Sequence, residues 1–262
     1  MSEPEFNSVK IDEGYYEYTL NSWTSFAEFV NKQMLSYTDY IFRGHGDSNW
    51  KLEPTLDRVI DTPSSFLREK HLKAFRYETR SRRGNNPPPL ISENDWWALG
   101  QHHGLFTPLL DWTESPFVAL YFAVNIAIKE KTDSFSIFAL WQSGVESSND
   151  YISNEENNIK EINNHKPTVK IFRPFSDENN RLVNQRGLFT RAPNNMSLEE
   201  WVPKYNRNEE HMMVLIKLTI KSVDLQNCLR YLNRMNINSS TLFPDLTGAS
   251  LFCNNHLDIE NY

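Results

Sequence analysis

Gln101-His102-His103-Gly104-Leu105-Phe106-Thr107-Pro108-Leu109-Leu110-Asp111-Trp112-Thr113-Glu114-Ser115-Pro116 runs without a break into an apolar stretch, residues 117–128. The pattern predicts a compact strand over 105–110, a tight corner, and a fully buried helix starting at Ser115-Pro116, where proline in the first turn forfeits no hydrogen bond. Asp111 then ends an apolar strand and emerges at a sheet edge, while Thr113 and Ser115 sit where a helix N-terminus offers unpaired N–H groups to an anion. The plainer reading is that Asp111 or Thr113 caps the helix, and capping accounts for one of them. It leaves unexplained why Gln, two His, Asp, Trp, Thr and Ser crowd one corner. His102 and His103 are poor metal ligands, because neighbours on a helix point about 100° apart, and no metal is expected.

Working outward, the pattern predicts strands over 15–20, 39–43, 134–141 and 212–220. Helices are expected after a Ser25/Glu28 capping box, over 64–83 with one apolar and one basic face (Phe66, Leu67, Lys70, Ala74, Tyr77), after a Ser92/Asp95 cap as far as Gly104, and across most of 223–251. Residues 144–164, rich in Asn and acidic groups, read as a long loop or edge insertion. Strands and helices follow no strict βαβ rhythm, so the fold class expected is α+β. Sixteen Phe, eleven Tyr and seven Trp in 262 residues exclude a disordered chain. Cys228 and Cys253 form neither a disulfide framework nor a zinc pattern, which favours a reducing, cytoplasmic setting. The stretch 117–128 is shorter than the ~20 residues of a bilayer span, and the start, MSEPEF, has no signal-peptide pattern. No membrane association is expected.

Two further segments carry chemistry. Ile41-Phe42-Arg43-Gly44-His45-Gly46 places an arginine at the end of an apolar strand beside two glycines that permit close backbone approach. The rigid donor fork of arginine suits a pyrophosphate, and a structural salt bridge is the alternative reading. Asn180-Arg181-Leu182-Val183-Asn184-Gln185-Arg186-Gly187-Leu188-Phe189-Thr190 is a polar turn feeding a strand; Gln185 can read an amide or ribose hydroxyl, or satisfy a neighbouring backbone group.

Taken together, Phe42-Arg43-Gly44, Gln101…Gly104-Leu105…Thr107…Leu109-Leu110-Asp111-Trp112-Thr113, then Ala119 and Tyr121-Phe122-Ala123, then Gln185…Gly187…Phe189, and finally Leu242-Phe243-Pro244-Asp245-Leu246…Gly248 resemble the FRG domain, named after its Phe-Arg-Gly signature. The resemblance covers roughly 23–251. It implies one domain with an N-terminal extension (1–22), a loop insertion at about 144–165 and a tail (252–262). The family is associated with mobile elements and anti-phage defence. The order of Arg43, the 107–115 corner and Gln185 is also similar to toxin-type ADP-ribosyltransferases, although no Glu stands at the late position those enzymes use. That likeness implies a mixed, split sheet flanked by helices, and NAD as co-substrate. It gives Arg43, Asp111, Gln185 and Asp245 catalytic roles, and makes Arg43, Gly44, Gln101, Thr107, Thr113 and Ser115 NAD-binding residues. A nuclease or other hydrolase and a non-catalytic sensing module of a defence system are the competing readings.

The chain carries a formal net charge of −7, which argues against indiscriminate phosphate binding. Residues 64–84 nevertheless hold seven Lys or Arg against two Glu. Arg76, Arg80, Arg82 and Arg83 are therefore the candidate nucleic-acid contacts, with RNA favoured over protein as target. A toxin also implies a neutralising antitoxin, for which 145–164 is a candidate docking surface; a solvated loop is its plainer reading.

Overall fold

The computed structural model describes residues 6–174, 180–209 and 211–262. Strand β5 (Ser134–Trp141) organises it. Phe135, Ile137 and Ala139 pack into one core and Phe138 and Leu140 into another, because successive side chains of a strand point to opposite faces. β5 pairs antiparallel with β3 (Tyr40–His45) and with β8 (Leu215–Lys221), and β8 lies parallel to β2 (Tyr15–Leu20), which carries β1 (Ser8–Asp12) on its outer edge. Beyond β3 come β4 (Leu110–Thr113), β7 (Gly187–Arg191) and β6 (Lys170–Phe172), all antiparallel. The order is β1-β2-β8-β5-β3-β4-β7-β6, one mixed sheet of an α+β fold.

Its decisive irregularity lies between β3 and β4. Six residue pairs register β3 on β5, but Phe42 and Thr113 are the single pair that registers β3 on β4. Past that pair the strands diverge, so Arg43 and Asp111 stand on edges that face each other without ladder hydrogen bonds. The sheet is thereby split into five strands and three.

Helices α1 (Trp23–Phe29), α4 (Pro116–Glu130) and α8 (Leu225–Arg234) contribute to the first core, and α5 (Gln142–Ser153) and α7 (Leu198–Tyr205) to the second. α2 (Ser65–Glu78) and α3 (Glu93–His102) join Leu109 and Phe189 in a third cluster. α6 (Asn180–Asn184), α9 (Ser239–Leu242) and α10 (Leu246–Asp258) complete the fold. α4 sits close on β3 because Gly44 has no side chain: a Cβ there would lie 2.1 Å from the Ala119 carbonyl oxygen. The close approach that glycine permits here is to a helix.

Several sequence expectations are corrected. Residues 105–110 are not a strand: Thr107 N–H donates to Thr55 Oγ1 and the Thr107 carbonyl accepts from Leu56, so this segment crosses to another loop and the strand starts at Leu110. The first helix is capped by Ser22, not Ser25. α4 is not fully buried: seven of its fifteen residues are, and Ile128 is 36% exposed. Residues 142–153 are a helix with Val145 and Ile152 fully buried, so the expected 144–165 insertion begins inside the core. The Asn side chain there works structurally, since the Asn149 amide exchanges two hydrogen bonds with the Val169 backbone. On α2 the buried residues are Arg68 and Leu72, while Phe66, Leu67 and Tyr77 are exposed. The buried face is rotated because Arg68 is drawn inward by Asp57, 2.7 Å away. The fold also runs past both expected boundaries. β1 and β2 belong to the sheet although they lie within 1–22, whose first five residues are outside the described ones, and Ile259 and Tyr262 of the tail are buried in the first core.

Candidate functional site

A cleft of about 330 Å³ opens where the sheet splits. β3 contributes Arg43 and Gly44, the end of α3 Gln101 and His102, β4 Asp111 and Thr113, and the turn after α6 Gln185. Three segments far apart in sequence therefore meet at one place. Phe122 of α4 and Phe243 face each other edge to face across 6.0 Å and add an apolar wall, and Arg181 reaches the rim.

A chain of hydrogen bonds fixes the polar groups. The buried Thr107 hydroxyl donates to Gln101 Oε1, which turns Gln101 Nε2 toward Asp111 Oδ2 at 2.6 Å. Arg43 Nη1 donates to the Asp111 carbonyl at 2.7 Å and lies 3.6 Å from its carboxylate, while Arg43 Nε donates to His45 Nε2 at 3.1 Å. Arg43 Nη2 has no hydrogen-bond partner among the described residues, and the side chain keeps 20% exposure. Burial pulls the Arg43 guanidinium below its ordinary value and the Asp111 carboxylate opposes this. It stays charged, because arginine does not deprotonate in proteins. Burial and the Arg43 charge push the His45 imidazole down to about 3. A neutral His45 accepts from Arg43 through Nε2, which leaves the Nδ1 proton facing the Trp50 carbonyl at 3.3 Å. The consequence is a cation and a carboxylate held side by side on the two edges of the split.

Four expected ligand contacts have local duties instead. Thr107 is fully buried behind Gln101 and supports it. Ser115 caps α4 by accepting from Val118 N and does not line the cleft. Thr113 lines it, but its hydroxyl donates to the Gln185 carbonyl at 2.6 Å and accepts from Ser115 N. Asp245 caps α10 by accepting from Gly248 N at 3.0 Å, and Arg181 Nε donates to its other oxygen at 2.7 Å. The bonds from Arg181 and Gly248 hold that exposed carboxyl below its ordinary value. It positions Arg181 rather than lining the cleft. Gln185 is at the cleft, with its amide nitrogen committed to the Leu242 carbonyl at 3.0 Å. Sequence reading passed over Arg181, His45, Phe122 and Phe243 as site residues. Sixty-four positions separate Arg181 from Asp245, so only the fold brings that pair together.

Among the described residues no group of three or more His, Cys, Asp or Glu side chains is arranged to hold a metal ion. Nor is any described helix long and apolar enough to cross a membrane.

An α+β protein with a cleft at the split of a mixed sheet, apolar-walled and carrying a few convergent polar groups, is the class these features define. Within it, the chain carries an FRG domain, whose family model matches residues 38–132. The match spans β3 to α4, hence Arg43, Gly44, Gln101, Asp111 and Thr113, whereas Arg181, Gln185 and Phe243 come from outside it. No curated protein and no solved structure matches the chain.

Proposed function

We propose that the cleft binds NAD and transfers its ADP-ribose to an acceptor. The observation that carries this reading is the convergence of Arg43, Asp111 and Gln185 at the split, with one guanidinium nitrogen unpartnered and the carboxylate aimed by Gln101. Small-molecule sites run from about 300 to 1,000 Å³, so a cleft of about 330 Å³ suits the nicotinamide riboside half of NAD. The Phe122 and Phe243 rings give the nicotinamide an apolar wall, and Arg43 Nη2 faces the pyrophosphate.

In this reaction the bond between nicotinamide nitrogen and ribose C1′ breaks, its electron pair neutralises the pyridinium, and neutral nicotinamide leaves. Positive charge develops on the ribose, where a preorganised carboxylate stabilises it. Asp111 supplies that carboxylate and Asp245 does not. The acceptor then bonds to C1′ and passes its proton to Asp111, whose side chain is 59% exposed and returns it to solvent. On this reading, and with the defence association that the FRG resemblance implies, the chain acts as a cytoplasmic anti-phage toxin on RNA or another macromolecule, restrained by a neutralising partner.

The experiment is incubation with NAD labelled in the adenylate and with cellular RNA, DNA and protein. Label enters one fraction with the wild type, and Asp111→Asn lowers the rate ~10²–10³-fold, the usual cost of removing one electrostatic stabiliser. NAD binding without labelling of any fraction would make the cleft a sensing pocket.

A further inference from the structure

We propose that the face formed by the C-terminal half of α2 and by Trp96 of α3 binds single-stranded nucleic acid and leads it to the cleft, which names the acceptor class of the transfer reaction and rests on that reading. Arg76 and Arg83 place their guanidinium carbons 5.3 and 5.2 Å from the Trp96 ring, and Arg80 lies 3.5 Å over Tyr77. Neither Arg76 nor Arg80 has a carboxylate within ion-pair distance among the described residues. Two of the basic residues in this stretch do other work: Arg68 is buried against Asp57, and Arg82 lies 3.6 Å from Glu78. Arg83 also donates to the Pro88 carbonyl.

What remains on the face is cationic and aromatic together. Tyr77 is 62% exposed and Trp96 partly so. Guanidinium groups over flat rings form the kind of platform on which unpaired bases stack while the backbone is neutralised, and duplex bases, already stacked, cannot use it. The helix that carries this face is tied to the segment beside the cleft. His71, one turn before Phe75 on α2, is hydrogen-bonded to the Phe106 carbonyl, in the loop directly after α3 and its cleft residues Gln101 and His102. At 1.5 Å per helical residue, Arg76 is about 8 Å along the axis from His71. The rest of the chain is net acidic, so an anionic strand is steered to this side.

Anisotropy of a fluorescein-labelled 20-nucleotide strand, titrated with the whole chain and no NAD, tests this independently of catalysis. Single-stranded RNA, single-stranded DNA and duplex are the three probes. A single strand binds more tightly than duplex, and the RNA-to-DNA ratio tells which sugar is preferred. Two phosphate contacts imply a salt slope near −1.4, so affinity falls about 7-fold from 50 to 200 mM salt. Arg76→Ala/Arg80→Ala weakens binding at least 10-fold and flattens the slope. Tyr77→Ala, at an exposed position, weakens it at least 5-fold, as loss of one stacked base does. Lys129→Ala, on α4, serves as a control and leaves it unchanged. Wild-type binding no tighter for single strands than for duplex overturns the proposal, as does a double variant within 2-fold of wild type or binding of an acidic peptide in preference to either nucleic acid. Label transfer to protein with strand binding intact would reject the acceptor assignment while leaving the transferase reading standing.

Discussion

Arg43→Ala lowers ADP-ribose transfer by at least ~100-fold, the scale on which a single preorganised charged or donor group acts in a transition state. The loss has two sources. The guanidinium that meets the pyrophosphate disappears, and the Asp111 backbone loses the donor that ties β4 to β3 past their single registered pair. Arg43→Lys separates them. It keeps the charge, but one ammonium cannot reproduce the fork that reaches both Asp111 and His45, so the account expects less than a tenth of wild-type rate, with KM for NAD raised. Steady-state kinetics on both variants, with circular dichroism to show that each is folded, checks this.

Asp57→Ala has the largest expected effect on stability. Arg68 and Asp57 have side chains only 4% and 3% exposed and meet at 2.7 Å. The same carboxylate accepts from Asn195 N at 3.0 Å, and Arg68 also donates to Asn195 Oδ1 and to the Thr62 and Ser64 carbonyls. Removing one member of a buried pair strands the other charge in a low dielectric and costs about 3–5 kcal/mol. At roughly 2–4 °C per kcal/mol for a chain of this size, the melting temperature falls by about 6–20 °C. Arg68→Met/Asp57→Leu, which replaces both charges with apolar groups, recovers much of that loss. A thermal melt of Asp57→Ala within about 2 °C of wild type would contradict this reading.

How much of this was legible in the sequence depends on how local the determinant is. Tyr15–Leu20 and Ser134–Trp141 match the expected strands to the residue, because short runs rich in aromatic and branched apolar residues carry the strand signal within themselves. The cap at Ser92 is equally local, whereas α4 is capped by Ser115 and not by Asp111 or Thr113. α5 was hidden because only three of its twelve residues are Val, Tyr or Ile, and its asparagine serves a distant backbone. The face of α2 was misplaced because the pattern assigns arginine to solvent, whereas Arg68 is neutralised by a residue eleven positions earlier.

The site divides in the same way. Residue type marks Arg43, Gln101, Asp111 and Gln185, and the fold brings all four to one cleft, with Arg43 inside β3 and Asp111 inside β4 rather than at the strand ends expected. Thr107, Ser115 and Asp245 share the chemistry of ligand contacts, but each is satisfied by a nearby partner that only the three-dimensional arrangement reveals. The split itself follows from register, which no single segment records.

A crystal structure of the chain soaked with NAD tests the central claim most directly. The account predicts the nicotinamide ring against Phe122 and Phe243, the pyrophosphate on Arg43, and the Asp111 carboxylate beside ribose C1′. NAD bound elsewhere on the chain, or a cleft left unchanged at saturating NAD, would contradict it.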